Sequence, residues 1–186
     1  MFELKRKAIH FIGLSVPVLY WLTSREFTLC MVGIAVVCAL CIEGARLKWE
    51  KANDLVFTIV GGYTRNHEQK RVTGATYYAV ASLIVILFFS KQVAIASLLF
   101  LTFGDSVAAL VGTRHGRHRI FQKSVEGSTA CFLVCSLVGY VMLGWIGVAG
   151  ALAATIIELL PIPVDDNLRI PLASGGLMQI FLLFSC

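Results

Sequence analysis

Asp105 ends one apolar run, 94–103, after a single glycine and is followed at once by another, SVAALVG. A carboxylate in that setting is costly unless a cation, a metal or a hydrogen-bond donor meets it. The stretch FGDSVAALVGTRHGRHRIFQKSVEG goes on to supply Arg114, Arg117, Arg119, Lys123 and Glu126. A helix that starts at Ser124 would point its free N–H groups and positive dipole end at this loop, which suits a phosphate, and Lys123 adds a compact charge there. Glu126 would repel a phosphate placed directly at that start, which leaves it for a metal or a nucleotide base. His115 and His118 fit solvated loop residues better than a zinc site, which needs a closed ligand set.

Three other clusters have chemical potential. In ELLPIPVDDNLRIP, Glu158 ends an apolar run, and Asp165, Asp166 and Asn167 lie in a proline-bounded turn. They are hard oxygen ligands of the kind magnesium with bound phosphate requires; the plain alternative is an acidic turn that caps the next helix. In ELKRKAIH, Arg6 and His10 share a helical face, with Glu3 one turn earlier and Lys7 adjacent. Those residues either fix topology as a basic flank or, for His10, place a working imidazole at the start of an apolar span. In RNHEQKRVTGATYY, Arg65 and Glu68 have the spacing of a solvated helical pair, and Thr73 is placed to N-cap the following helix.

A metal, several carboxylates, cations and a helix start behind a lysine are the parts phosphoryl transfer uses. There is no Walker-type glycine loop and no protein-kinase signature set.

The elements that must position these groups are membrane helices. Of the 186 residues 58% are hydrophobic and only 15% charged, with a mean hydropathy of +0.80. A soluble domain of this length could not hide so much apolar surface. Seven apolar segments are expected, at about 8–22, 27–42, 74–89, 92–111, 129–143, 145–160 and 171–184. The reading is an all-α, polytopic transmembrane helix bundle forming a single catalytic domain over 1–186. Its cytoplasmic loops are expected at 43–73, 113–128 and 161–170. Several segments fall short of the ~20 residues that span a bilayer, which snorkelling flanks and local thinning can absorb. The LGW junction at Leu143–Trp145 makes segments five and six antiparallel neighbours.

Of the sixteen lysines and arginines, only Arg25 and Lys91 fall on the side opposite the rest, which puts the amino end in the cytoplasm by the positive-inside rule. Every acid except Glu26 shares the basic side, although that rule does not demand it. A face with both signs looks like a metal-and-anion site rather than simple attraction to anionic lipid. The net charge of +5 is therefore no sign of nucleic-acid binding, and no nucleic-acid partner is expected. The six cysteines lie mostly in apolar blocks and read as buried thiols, not a disulfide framework. Gly104, Ala108 and Gly112 form a small-residue stripe where a second helix can come close, with Asp105 beside it. In the long loop, LKWEKANDLVFTIVGG has the pattern of an interfacial helix.

In combination and in order, these stretches resemble the family of CTP-dependent polyprenol kinases, which includes dolichol kinase, phytol kinase and the CTP-using diacylglycerol kinase. The resemblance rests on ELKRKAIH, on Arg65 and Glu68 ahead of TGA, on GDSVAALVGTRHG, on KSVEG from Lys123 to Gly127, and on DNLRIP. It implies an enzyme that moves the terminal phosphate of CTP onto a lipid hydroxyl with Mg2+. On that resemblance Asp105 binds metal or activates the hydroxyl, and Lys123 and Arg6, with Lys7, Ser124, Gly112, Gly116 and Gly127, hold the nucleotide. Asp165, Asp166 and Asn167 would take magnesium, His10 and Glu126 would act at the reacting groups, and Arg65, Glu68 and Glu158 would support them. CDP-diacylglycerol synthases share the Gly-Asp and Lys-Ser-x-Glu-Gly stretches, so cytidylyl transfer is the runner-up. A transporter or scaffold with an intramembrane carboxylate is a third reading.

Overall fold

The structure is a computed structural model that describes residues 13–60, 71–121 and 123–185. Its elements are α1 (Ser15–Leu22), α2 (Arg25–Lys48), α3 (Glu50–Val60), α4 (Gly74–Phe88), α5 (Lys91–His115), β1 (Arg119–Ile120), β2 (Lys123–Ser124), α6 (Val125–Leu143), α7 (Trp145–Leu159) and α8 (Asp166–Phe184). The all-α membrane reading holds. Four helices, α2, α5, α6 and α8, are long and apolar enough to cross a bilayer, and α4 and α7 are shorter apolar helices. Large apolar side chains such as Ile34, Val37, Leu133, Leu137 and Val141 face outward along them. A water-soluble surface does not carry so much contiguous exposed hydrocarbon.

Helix α5 is the axis: 61% of its most apolar window is buried, against 22–28% for the other three long helices. It touches α1, α4, α6, α7 and α8. Val93, Ala96, Phe100 and Leu101 join Cys131, Cys135, Ala151, Ala154, Ile170 and Met178 in one core. Ala94, Ile95 and Leu98 join Tyr20, Val32, Val36, Val85 and Ile86 in a second. Midway, Phe100–Asp105 winds as a π-helix, a wider turn that recurs at functional sites.

Small residues set the helix approaches. A Cβ on Gly104 would lie 2.7 Å from the Cys135 sulfur and 3.0 Å from that of Cys131. A Cβ on Gly127 would lie 2.6 Å from the Ala108 carbonyl oxygen, so the expected stripe is where α6 crosses α5. The LGW junction makes the expected hairpin, with Gly144 at φ +59°. There α6 and α7 are so close that a Cβ on Gly147 would meet the Gly139 carbonyl at 2.0 Å. Cys131 and Cys135 are the buried thiols the sequence leads one to expect; Cys30, Cys38 and Cys41 instead face outward from α2.

Several boundaries differ from those expected. Helix α2 runs on to Lys48 because Glu43 and Arg46, charged but one turn apart, pair inside the protein. Helix α8 begins at Asp166, five residues before Pro171, which lies inside the helix and removes one backbone hydrogen bond there. The chain between α7 and α8 is correspondingly shorter than the expected loop. Residues 50–60 form the helix expected within the long loop. Thr73 does precede α4, but its hydroxyl does not cap it. The Glu43 carboxylate takes both the Thr73 hydroxyl, at 2.6 Å, and its N–H, at 3.0 Å.

Candidate active site

One end of the bundle gathers charge from three helices. Lys123 leaves β2 just before α6, and its ammonium lies 2.5 Å from Glu158 Oε1 and 3.2 Å from Asp166 Oδ2. Glu158, in the last turn of α7, is 2% exposed, and its other oxygen accepts from the Ser128 hydroxyl at 3.4 Å. Asp166 opens α8 and also pairs with Arg169 one turn later, whose Nε donates to Oδ1 at 2.7 Å. Arg169 reaches back as well to the Leu160 carbonyl, 2.8 Å away, so the end of α7 is tied to the start of α8. Burial is the largest influence on Lys123 and would lower its pKa. Asp166, then Glu158, and farther off Asp105 together outweigh it and hold the ammonium above the ordinary lysine value.

Asp105 is half-buried at the end of the π-turn, within electrostatic reach of Lys123. The local sequence dictates how the next elements return to it. Helix α5 stops at Gly116, the chain forms the two-residue ladder of Arg119–Ile120 with Lys123–Ser124, and α6 starts. Ser124 is the N-cap of α6 and accepts from the Gly127 N–H at 3.1 Å. The glycines expected around a nucleotide surround that serine. A Cβ on Gly112 would lie 2.8 Å from its hydroxyl, and one on Gly116 2.9 Å from its Cβ. Each glycine therefore has a packing reason to be where it is.

The structure brings together Asp105, Lys123, Glu158 and Asp166, while the Ser124 hydroxyl turns to the Gly127 N–H. It turns other expected residues elsewhere. Glu126 faces the loop, accepting from the His118 N–H at 3.2 Å and meeting His118 Nδ1 at 2.9 Å. Asp165 caps α8: its Oδ1 accepts from the Asn167 N–H at 2.9 Å and from the Asn167 side-chain amide at 2.7 Å. That is the capping turn which was the alternative to a magnesium trio. Glu3, Arg6, Lys7, His10, Arg65 and Glu68 lie outside the described residues.

Among the described residues no three His, Cys, Asp or Glu side chains come together to hold a metal by themselves. Magnesium does not need such a cage; it keeps waters and uses one or two carboxylates together with substrate phosphates. Around Lys123 and Arg169 stand three carboxylates, those of Glu158, Asp166 and Asp105. That surplus of negative charge would repel a bare triphosphate and suits one that carries a divalent cation.

Sequence reasoning missed Ser128 altogether and saw Arg46 and Arg169 only as markers of topology. The DNLR spacing does contain the signal, since Asp166 and Arg169 are three apart in a helical stretch. Glu43 and Arg46 have the same spacing. They form a second buried network in which Glu43 Oε1 also accepts from the Thr76 hydroxyl at 3.0 Å. Arg46 donates to Asn53 at 3.3 Å and to the Arg71 carbonyl, and lies over the Phe57 ring.

The chain is 30% identical over 212 residues to a probable chloroplastic phytol kinase of Zea mays, an alignment that covers 98% of this chain and 67% of that protein. It is 33% identical over 150 residues to the corresponding protein of Triticum aestivum, covering 68% of this chain and 49% of the other. A CTP-dependent diacylglycerol kinase 1 from Eremothecium gossypii is 34% identical over 104 residues, 54% of this chain and 33% of that one. The chain thus spans about half to two thirds of the length of the plant relatives it matches. No family model and no solved structure matches it.

Proposed function

The chain belongs to the family of phytol kinases and CTP-dependent diacylglycerol kinases, and from that premise we propose that it is a membrane lipid kinase transferring the terminal phosphate of CTP to a lipid alcohol. The observation that carries this reading is Lys123, held between Glu158 and Asp166 at the charged end of an apolar bundle with Asp105 in electrostatic reach. A lysine placed there can turn from carboxylate to phosphate, and the lipid tail can lie along the helices beside it. CTP is named for the diacylglycerol kinases among the relatives.

In the proposed reaction the lipid hydroxyl oxygen attacks the γ-phosphorus. The bond from that phosphorus to the bridging oxygen breaks, CDP leaves, and the hydroxyl proton passes to a carboxylate. Asp105 is the carboxylate assigned to the reacting end, as proton acceptor or as metal ligand. Lys123 and Arg169 balance the charge that spreads over the transferring group. Asp105 and Asp166 would hold magnesium, which when bound would supply positive charge against the phosphates of the nucleotide. Glu158 fixes Lys123, and Ser124 fixes the start of α6. Asp165 and Asn167 set the start of α8 and, through it, Asp166. Seven apolar helices crossing the membrane, with the charged end in the cytoplasm, give this site access to both CTP and lipid.

The test is purified protein in lipid nanodiscs with γ-labelled CTP, magnesium, and phytol, a polyprenol or diacylglycerol as acceptor. Labelled phosphate on one of these alcohols is expected. Label that stays entirely on CTP, from protein whose circular dichroism shows intact helices, sinks the proposal.

A further inference from the structure

The hairpin between α5 and α6 has an unusual tip. Phe121 is 66% exposed and has φ +54°, the only left-handed non-glycine among the described residues. A tight hairpin in water would place glycine or asparagine there; a bulky L-residue is strained in that region. Ile120 beside it is also exposed, and so are Arg114, Arg117 and Arg119. His118, on the same loop, is held by Glu126, the one carboxylate on this segment. Across the charged cluster, the short connection from α7 to α8 again exposes apolar side chains, Ile162 and Val164, next to prolines. The two loops that frame Lys123, Glu158 and Asp166 thus carry outward hydrocarbon, and one of them carries arginines as well.

We propose that these two loops are interfacial anchors, with Phe121, Ile120, Ile162 and Val164 dipping into the headgroup boundary and Arg114, Arg117 and Arg119 meeting anionic lipid phosphates. Chain connectivity sets the depth. The hairpin has nine residues, 116–124, between the ends of α5 and α6, and so is held within one short loop of the bilayer surface. Apolar side chains set in a basic loop are what an anionic interface retains. Burying the Phe121 ring in the interface would offset its backbone strain. An anchored rim would hold the cluster at the depth where a lipid hydroxyl meets a water-borne nucleotide. The inference rests on α5 and α6 crossing the membrane, and it deepens the lipid-substrate reading without depending on turnover.

The experiment replaces Phe121 with the photoreactive residue p-benzoylphenylalanine in the full chain. The protein is reconstituted in nanodiscs of phosphatidylcholine alone or mixed with phosphatidylglycerol, irradiated, and its adducts are identified by mass spectrometry. Leu137, 68% exposed on α6, receives the same residue as the reference position. Lipid adducts are expected at both positions, with a several-fold higher yield at 121 in the anionic discs. Arg117→Gln with Arg119→Gln should remove most of that gain. Adducts at 137 but none at 121 would overturn the anchor while leaving the membrane-spanning reading intact. Adducts at neither would overturn both.

Discussion

At Lys123 burial and charge pull in opposite directions, and the carboxylates prevail. A lysine whose folded pKa is raised contributes stability that is fully present below the unfolded value of about 10.4 and is lost as pH rises through the folded value. The ion pair should therefore contribute equally from neutral pH to about pH 9 and fade only beyond the ordinary lysine range. Thermal unfolding in detergent, compared with the Lys123→Met/Glu158→Gln double variant, would show this as a gap that closes only at strongly alkaline pH. Lys123→Met alone leaves Glu158 buried without its cation and should cost more than the double variant, by roughly 2–3 kcal/mol. That figure lies below the range for a fully buried pair because the lysine is 30% exposed. In activity, Glu158→Gln should lower kcat more than it raises KM for CTP, since it loosens the lysine that meets the charge developing on the transferring group. Equal kinetics in the variant would remove Glu158 from the site. At this scale the sequence shows residue types well and partners poorly. Asp105, Lys123 and Asp166 stand out as charges beside apolar runs. That Glu158 pairs with Lys123, or that Glu126 turns to His118, depends on how a nine-residue hairpin folds back, and no local spacing encodes that.

Among the elements, glycines decide how close helices come, and the structure ranks them. On Gly104 a methyl group would meet two cysteine sulfurs, the ends of side chains that can move. On Gly147 it would meet the Gly139 carbonyl, which moves only if α6 and α7 part. Gly104→Ala should then cost about 1–3 kcal/mol, an ordinary overpacking penalty, while Gly147→Ala should cost more. Cys135→Ala should recover part of the first loss and none of the second. Unfolding midpoints of the four variants in one detergent check the order, and a Gly104→Ala loss as large as that of Gly147→Ala would contradict it. The stripe at 104, 108 and 112 was legible because four-residue spacing of small residues has one geometric meaning. The π-turn was not, since FLTFGD has no composition that separates it from an α-helical turn. Nor was the extension of α2 to Lys48. A hydropathy reading stops at the first charges, and the Glu43–Arg46 pair that lets the helix continue draws on Thr73 and Thr76, about thirty residues away.

For the whole molecule, charge sorts to two ends of the bundle. The two cations that the sequence leaves apart from the rest both cap helix ends. Arg25 Nε donates to the Ile86 carbonyl at 3.1 Å, and Lys91 to that of Thr23 at 2.9 Å. Cations at helix C-termini are favourable there because the last carbonyls lack partners and carry the negative end of the dipole. The class and the sorting were legible because hydrophobic blocks and loop charges are properties of composition. The packing of α8 against α4 and α5 was not, because it joins segments far apart in the chain. The sorting has a geometric consequence. Helix α5 has 25 residues, or about 37 Å at 1.5 Å per residue, enough to cross a hydrocarbon core of about 30 Å. Its ends should then face opposite compartments, with Gln92 at the Lys91 end and Arg117 just past the other. Gln92→Cys and Arg117→Cys, each placed in a background whose Cys30, Cys38, Cys41 and Cys186 are alanine, should react with a membrane-impermeant maleimide from opposite sides of sealed vesicles. Arg117→Cys is the one expected to react from the side that CTP must reach. Helix α7, with 15 residues, is about 22 Å long and can cross only where the bilayer thins or flanking residues snorkel. Labelling of both α5 positions from the same side would show that α5 does not cross, and the separation of charge would then need another cause.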